Sequence, residues 1–358
     1  MDHLTRRNQL TERCGAELDV EALLVTKLAN VRYLTGFTGS SAMVLLSPEE
    51  SVFFTDGRYG EQARHEVPDL TRVASMENLS GAVLDHVRRL GVGRLGFERH
   101  AVTVAQRDRW EETFDGVELK GVGEEAERLR WAKDAEELAI LRSAQDATDG
   151  AFEDVLDLLL VGITERQAAA QLELALARHG ADGLSFEPIV AFGEHAAEPH
   201  HHPCHRALAE GDVIKMDFGA MVDGYHTDMT RTVAFGEPAS ELRKVHDVVA
   251  AAQQAGIDAV RPGVVAGDVD RAARTVIDDA GYGDRFTHGL GHGVGLEIHE
   301  GPWLRRDGED VLPVGAVVTV EPGVYLPGMG GVRIEDAVEV TEDGASVLGA
   351  SIRELIEL

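Results

Sequence analysis

The chain has 358 residues, enough for two domains, with 44% hydrophobic and 27% charged residues, the balance of an ordinary globular protein. A formal net charge of −29 argues against nucleic acid and anionic membrane surfaces as partners, since both need positive patches, and reads as a solvated acidic surface. No apolar run reaches the roughly 18 residues of a membrane span. No apolar segment follows the basic residues of "MDHLTRRNQL", and Cys14 and Cys204 are too few for a disulfide framework, so the expected compartment is a reducing cytoplasm.

From the N-terminus, "ALLVT" (22–26), "VRYLTGF" (31–37), "AMVLLS" (42–47) and "SVFFTD" (51–56) read as strands. Helical patterns follow near 58–66, 79–90 and 103–114, with "RLGFE" (94–98) as a strand among them. This alternation predicts an α/β domain over residues 1–123. Asp134 to Leu160 carries apolar residues at spacings of three and four, including Leu138, Leu141, Phe152, Val155 and Leu159. "TERQ" (164–167) has the form of a capping box, opening a second helix that runs to about His179. Helices at 134–179 lead to strands at 186–235, and helices at 240–280 lead to strands at 286–345. No repeat is visible in the residues themselves. Two helix–helix–strand halves nonetheless predict an α+β domain with pseudo-twofold symmetry over 124–358, and a site between halves is a common outcome of that design.

Two of the predicted hairpins each carry a pair of acids. In "GDVIKMDFGAMVDGYHTDMTRTVAF" (211–235), a "DG" turn joins a strand with Asp217 to a strand with Asp228. A turn centred at Val222–Asp223 sets the two acids opposite one another. A register shift of two makes them diagonal neighbours, and in both cases they share a face within roughly 4.5–8 Å at Cβ. In "GAVVTVEPGVYLPGMGGVRIEDAVEV" (315–340), Glu321 and Glu335 are symmetric about Gly328. Met216, Phe218, Val320, Val332 and Ile334 make both hairpins look buried, and buried like charges need raised pKa values or a cation. Solvent-facing strand acids are the alternative. Carboxylates with one imidazole suit ions of the Mn or Co type, and four of them favour two ions about 3.5–4 Å apart.

"MDFGAMVDGYHTDMTRT", "GHGVGLEIHE", "VTVEPGVY" and "GVRIED" closely resemble the pita-bread metallopeptidases, in the aminopeptidase P and prolidase branch. "ALLVTKLANVRYLTGFTGSSA" and "FFTDGRYGEQA" resemble that branch's creatinase-type N-terminal domain, so the likeness covers the chain. The resemblance implies Asp217, Asp228, His292, Glu321 and Glu335 as ligands of two divalent ions, Mn2+ first, with Co2+ or Zn2+ as alternatives. Asp217 would hold one ion, His292 and Glu321 the other, with Asp228 and Glu335 bridging. It also implies Glu321 as proton shuttle, and His200, His299 and Arg333 acting on the substrate, with His288 beside them. The implied reaction is hydrolysis of the bond before proline in small peptides with proline second, by a dipeptidase or an aminopeptidase acting as a homodimer. The alternatives are metal-free pita-bread proteins, either creatinase-like or purely binding, and five intact ligands weigh against both.

Parity adds a structural demand. In a regular strand His288 and His292 share a face, while His299 points away. Both His292 and His299 reach one site only through a bulge or turn, expected near Gly293–Gly295. The glycines beside His292 are expected to bring backbone close to the ions. They do not satisfy G-x-G-x-x-G, so a phosphate loop is discarded. In "EPHHHPCH" (198–205) the histidines and Cys204 could bind metal by themselves. The family frame "IVAFGEHAAEPHH" selects His200 for substrate and leaves His201, His202 and His205 as loop residues. His195 and Phe192 depart from the family's usual Asn and Ser.

Overall fold

In the computed structural model, which describes every residue except Glu77, the chain divides into two units, Met1–Arg130 and Trp131–Leu358. The first therefore takes in a short helix beyond the boundary expected at residue 123. Its centre is a six-stranded sheet built from β1 (Ala22–Val25), β2 (Ala42–Leu46), β3 (Ser51–Asp56), β4 (Thr71–Ser75), β5 (Arg94–Glu98) and β6 (Glu118–Val122), in the order β4-β3-β2-β1-β5-β6. The β1–β2 and β2–β3 pairs are antiparallel and the outer pairs parallel. The helices are α1 (His3–Ala16), α2 (Leu28–Thr35), α3 (Gly60–Glu66), α4 (Leu79–Arg89), α5 (Val104–Thr113) and α6 (Glu125–Arg130).

"VRYLTGF" is a correction. Residues 31–35 belong to α2, which buries Asn30, Val31 and Leu34 at helical spacing and stops at Gly36, whose φ of +79° suits a residue without Cβ. Seven residues rich in Val, Tyr and Leu are too few to separate the two periods. The apolar stripe of helix α1 is reduced to Leu10 and Cys14 because two arginines share its buried face. Arg6 stacks 4.0 Å over the Tyr33 ring and donates to Tyr33 O, and Arg7 donates to Leu34 O.

In the second unit, Asp134 caps α7 (Ala135–Leu156) by a reciprocal bond with Glu137, and Thr164 caps α8 (Glu165–Arg178) in the same way with Gln167. Small strands β7 (Gly183–Leu184), β10 (Ala220–Val222) and β11 (Tyr225–His226) form one sheet; β8 (Ile189–Phe192), β9 (Val213–Phe218) and β12 (Met229–Ala234) form another. Phe152, Leu172 and Leu176 pack the helices against Val190, Ile214 and Met216 of that sheet. The second half repeats the plan. Helices α9 (Ser240–Ala259) and α10 (Ala266–Asp279) cover a sheet of β13 (Gly291–Gly293), β14 (Glu300–Leu304), β15 (Val317–Val320), β18 (Asp336–Thr341) and β19 (Gly344–Val347). The hairpin of β16 (Gly323–Leu326) and β17 (Gly330–Arg333) projects from it. The halves meet where Glu335 N donates to Thr230 O at 3.0 Å.

Candidate metal centre and active site

Strand register brings the acids together. Asp217 faces Thr230 across β9–β12, which makes Asp228 its diagonal neighbour and selects the shifted register. The β15–β18 ladder ends at Val320↔Asp336 and the β16–β17 ladder begins at Gly323↔Arg333, both in the same register. Glu321 and Glu335 lie opposite one another in the gap. Released from the ladder, Glu321 N donates to Leu290 O and Glu335 N to Thr230 O, so the break leaves neither backbone N–H unpaired.

His292 enters from β13. The β13–β14 register shifts between His292 and Gly293, where His292 pairs with Trp303 and Gly293 with Glu300. Bends at 295–299 then return His299 to the same face, with its ring 4.4 Å from that of His292. The irregularity demanded by parity is present. The flanking glycines, however, serve the neighbouring strands. A Cβ on Gly291 would stand 2.1 Å from Thr319 O, and one on Gly293 would stand 2.2 Å from Gly301 O. Backbone, not an ion site, is what they admit.

The donor atoms converge. Ligand atoms of Asp228, His292 and Glu335 all lie within 4.8 Å of one another, and His292 Nε2 is 3.6 Å from both Asp228 Oδ2 and Glu321 Oε1. Nδ1 of His292 is 3.0 Å from Gly293 O, which can only accept, so the proton sits on Nδ1 and the Nε2 lone pair points at the acids. Burial pushes this imidazole down to about 4, leaving it neutral and able to ligate.

The acids are in an opposite predicament. Burial, then Glu335, Asp217 and Glu321, hold Asp228 well above the carboxylate range, and burial, then Glu321 and Asp217, do the same to Glu335. Burial pushes Glu321 up to about 8. Asp217 Oδ1, Asp228 Oδ1 and Glu335 Oε1 are buried without any hydrogen-bond partner. Three orphaned carboxylate oxygens around one imidazole nitrogen fit a divalent cation. One guanidinium, Arg333, offsets a single charge of the four acids, so one divalent ion would leave a net negative centre and a second would reverse its sign.

A set of polar groups fixes the cluster. Arg333 is buried; its Nη2 pairs with Asp217 Oδ2, its Nε donates to Thr230 Oγ1 at 3.0 Å, and its Nη1 donates to Tyr325 Oη at 2.8 Å and Pro199 O at 3.2 Å. Thr230 Oγ1 donates to Glu335 Oε2 at 2.6 Å, and Thr319 Oγ1 to Glu321 Oε1 at 3.2 Å. Because Tyr325 Oη accepts from Arg333, its own proton goes to His288 Nε2 at 2.9 Å, and His288 Nδ1–H donates to Gly289 O at 2.8 Å. Both nitrogens of His288 are thereby engaged. Burial lowers its pKa to about 3, in keeping with a neutral ring.

Tyr325, Thr230 and Thr319 escaped the sequence reading. Thr319 lies two residues before Glu321 on one face, and Thr230 falls opposite Asp217 once the hairpin is in register, so both were accessible to a strand-parity argument. Nothing marked Tyr325.

A cavity of about 520 Å³ opens onto this cluster and is lined by the four acids and His292 together with His200, His288, His299 and Arg333. His200 and His202 are exposed there, whereas His201 is not a plain loop residue. It is buried, with Nε2 2.9 Å from Glu165 Oε2 and Nδ1 2.7 Å from Glu198 Oε2. His205 is exposed, 3.4 Å from Arg166 Nη1.

Acid buried at this density, with lone pairs left over, defines a metal-dependent hydrolytic centre between two like halves. Residues 139–342 match metallopeptidase family M24 and residues 6–131 match the creatinase/prolidase N-terminal domain, and the chain belongs to the M24 family, in a creatinase-type domain plus pita-bread domain arrangement. It is 40% identical to the uncharacterized peptidase YqhT of Bacillus subtilis (strain 168), over 96% of this chain and 97% of that one. Among solved structures, an Xaa-Pro dipeptidase from Bacillus anthracis is 36% identical with a TM-score of 0.97, covering 100% of both chains. An X-Pro aminopeptidase from Thermotoga maritima MSB8 is 33% identical with a TM-score of 0.89, covering 97% of this chain and 100% of the other. The protein is a metallopeptidase, and the metal-free readings fall away.

Proposed function

We propose that this metallopeptidase hydrolyses the bond before proline in short peptides, Xaa-Pro dipeptides first. The observation that carries the reading is the convergence of Asp217, Asp228, His292, Glu321 and Glu335 on one cavity that also presents His200 and His299. The names of the similar solved structures support the choice of substrate, and the dipeptidase is favoured over the aminopeptidase by its higher TM-score over the whole chain.

The five residues would hold two divalent ions. Asp217 would serve one, His292 and Glu321 the other, and Asp228 and Glu335 both; the oxygen-rich donor set suits Mn2+. Bound there, the ions supply positive charge and Lewis acidity. Glu321, the least covered of the acids apart from its bond to Thr319, takes a proton from the attacking water and returns it to the leaving imide nitrogen. His299, whose pKa is lowered by partial burial, is a neutral ring that can donate N–H to the carbonyl oxygen as it gains charge. His200, exposed at the cavity, steadies the leaving proline side. Arg333 positions Asp217 and Glu335 while lining the cavity, and His288, expected to touch substrate, acts through Tyr325 and Arg333 because its ring nitrogens are taken. Phe186, Ile189 and Trp303 offer an apolar wall for a pyrrolidine ring. We further propose a homodimer, by the likeness to this family, and a cytoplasmic setting, which keeps Cys14 and Cys204 as thiols.

Hydrolysis of matched Xaa-Pro and Xaa-Ala dipeptides and an Xaa-Pro-Xaa tripeptide, after loading with Mn2+, tests the reading. Turnover of the Xaa-Pro dipeptide alone is expected. Equal turnover of Xaa-Ala would remove the proline preference, and faster turnover of the tripeptide would make the enzyme an aminopeptidase.

A further inference from the structure

Away from the acidic centre, three chain segments bring four further donors to one point. Glu165, at the first turn of α8, is fully buried. His195 comes from the turn Gly193–Ala197, and His201 and Cys204 from the loop that follows. His195 Nδ1 lies 2.9 Å from Glu165 Oε1, His201 Nε2 lies 2.9 Å from Glu165 Oε2, and Cys204 Sγ lies 4.0 Å from His195 Nδ1. One donor atom from each of the four falls within 4.8 Å of all the others.

We propose that Glu165, His195, His201 and Cys204 form a separate zinc site that pins the loop carrying His200. One thiolate, two imidazoles and one carboxylate make a four-donor set of the kind that closes a structural Zn2+ site, unlike the oxygen-rich centre next to it. Tetrahedral bonds of the usual lengths require donors about 3.3–3.6 Å apart, so the imidazole–carboxylate pairs now at 2.9 Å open and the sulfur, now 4.0 Å from His195 Nδ1, closes on the other donors. The second nitrogen of His201 already faces the Glu198 carboxylate at 2.7 Å, which is how a metal-bound imidazole is commonly oriented. Zinc binding releases the Cys204 thiol proton and any proton on His201 Nε2, shifts the His195 proton from Nδ1 to Nε2, and replaces the two imidazole–Glu165 hydrogen bonds, leaving His201 Nδ1–H on Glu198. The rival account is a purely hydrogen-bonded knot, because Glu165 also accepts from Phe192 N at 2.9 Å and Cys204 N at 3.0 Å. That knot also uses the His195 ring nitrogen and leaves the Cys204 sulfur accepting from Arg206 N at 3.4 Å, so a metal–sulfur bond is what tells the two apart.

Cobalt(II) added to the metal-free protein separates the two. The acidic centre has no sulfur, and the other cysteine, Cys14, is buried in the first unit with its thiol on Leu10 O. A thiolate-to-cobalt charge-transfer band in the near ultraviolet is expected to saturate at one ion per chain. Cys204→Ala should abolish the band, and His195→Asn should weaken binding at least tenfold. Zinc-loaded wild-type protein should hold one ion more than Cys204→Ala. A wild-type titration without the band, a band that survives Cys204→Ala, or equal zinc content in the two proteins overturns the proposal. None of these outcomes bears on the peptidase centre, because the readout is the Co–S bond and not turnover.

Discussion

At the scale of single residues, the proposed function gives His292 and His299, whose rings lie 4.4 Å apart, two different kinds of work. His292 has its proton fixed by Gly293 O and its lone pair among the acids, so His292→Ala should lose bound metal and activity together. His299→Ala is expected to keep its metal and lose turnover by about 10²–10³, the range for one lost oxyanion donor, with KM changing less than kcat. Metal analysis beside steady-state kinetics on both variants checks this; metal loss in His299→Ala would show that the two histidines share one job. The pairing of the acids was legible because each hairpin carries two of them at mirrored positions about its turn, whereas His292 enters only through the resemblance. The hydroxyls of Thr230, Thr319 and Tyr325 were not, since a side chain that steadies an acid leaves no charge pattern of its own. His201 was misread for a related reason. Its burial depends on Glu165, 36 residues away in sequence.

Among the elements, strand β13 is threaded between β14 and β15 with no room for side chains on its glycines. Gly291→Ala would place Cβ 2.1 Å from Thr319 O, a backbone atom that cannot swing aside, and Thr319 also holds Glu321 and His292 N. Overpacking of this kind costs about 1–3 kcal/mol, so the midpoint of thermal unfolding should fall in metal-stripped protein as well as in the loaded form. A fall confined to the loaded form would return the glycines to the role first expected, approach to the ions. The elements themselves show where pattern reading reaches and where it stops. The capping box at Thr164 and the bulge near Gly293 follow from local chemistry and parity, and both are present. Helix α2 reads as a strand in the sequence because short apolar runs carry no period. Helix α1 left only a weak amphipathic trace because Arg6 and Arg7 share its buried face with Leu10 and Cys14.

For the whole molecule, the acidic centre sets a conflict between folding and charge that either bound protons or cations resolve. In metal-stripped protein Glu321 titrates at about 8 against an ordinary 4.5, with burial as the main cause, and Asp228 and Glu335 are raised as well. The folded chain thus retains protons that the unfolded chain releases, and stability falls as pH rises from about 4.5 to about 8. His288 and His292, lowered to about 3 and about 4 by burial, act in the opposite sense, but only below the ordinary histidine value of 6.5. Between about 6.5 and 8 the histidines no longer oppose the acids, but Lys215, lowered by burial to about 6, does; the three raised acids Asp228, Glu321 and Glu335 outnumber it, so stripped protein should still lose stability across this window. Divalent ions displace those protons and supply the missing charge, so loaded protein should be nearly flat there and the gap between the two forms should widen with pH. Glu321→Gln removes one of the titrating groups and should flatten the stripped profile. Urea unfolding of stripped, loaded and Glu321→Gln proteins at several pH values reads all three slopes, and a stripped wild-type profile that rises toward pH 8 would mean that the four carboxylates are accommodated as anions without metal.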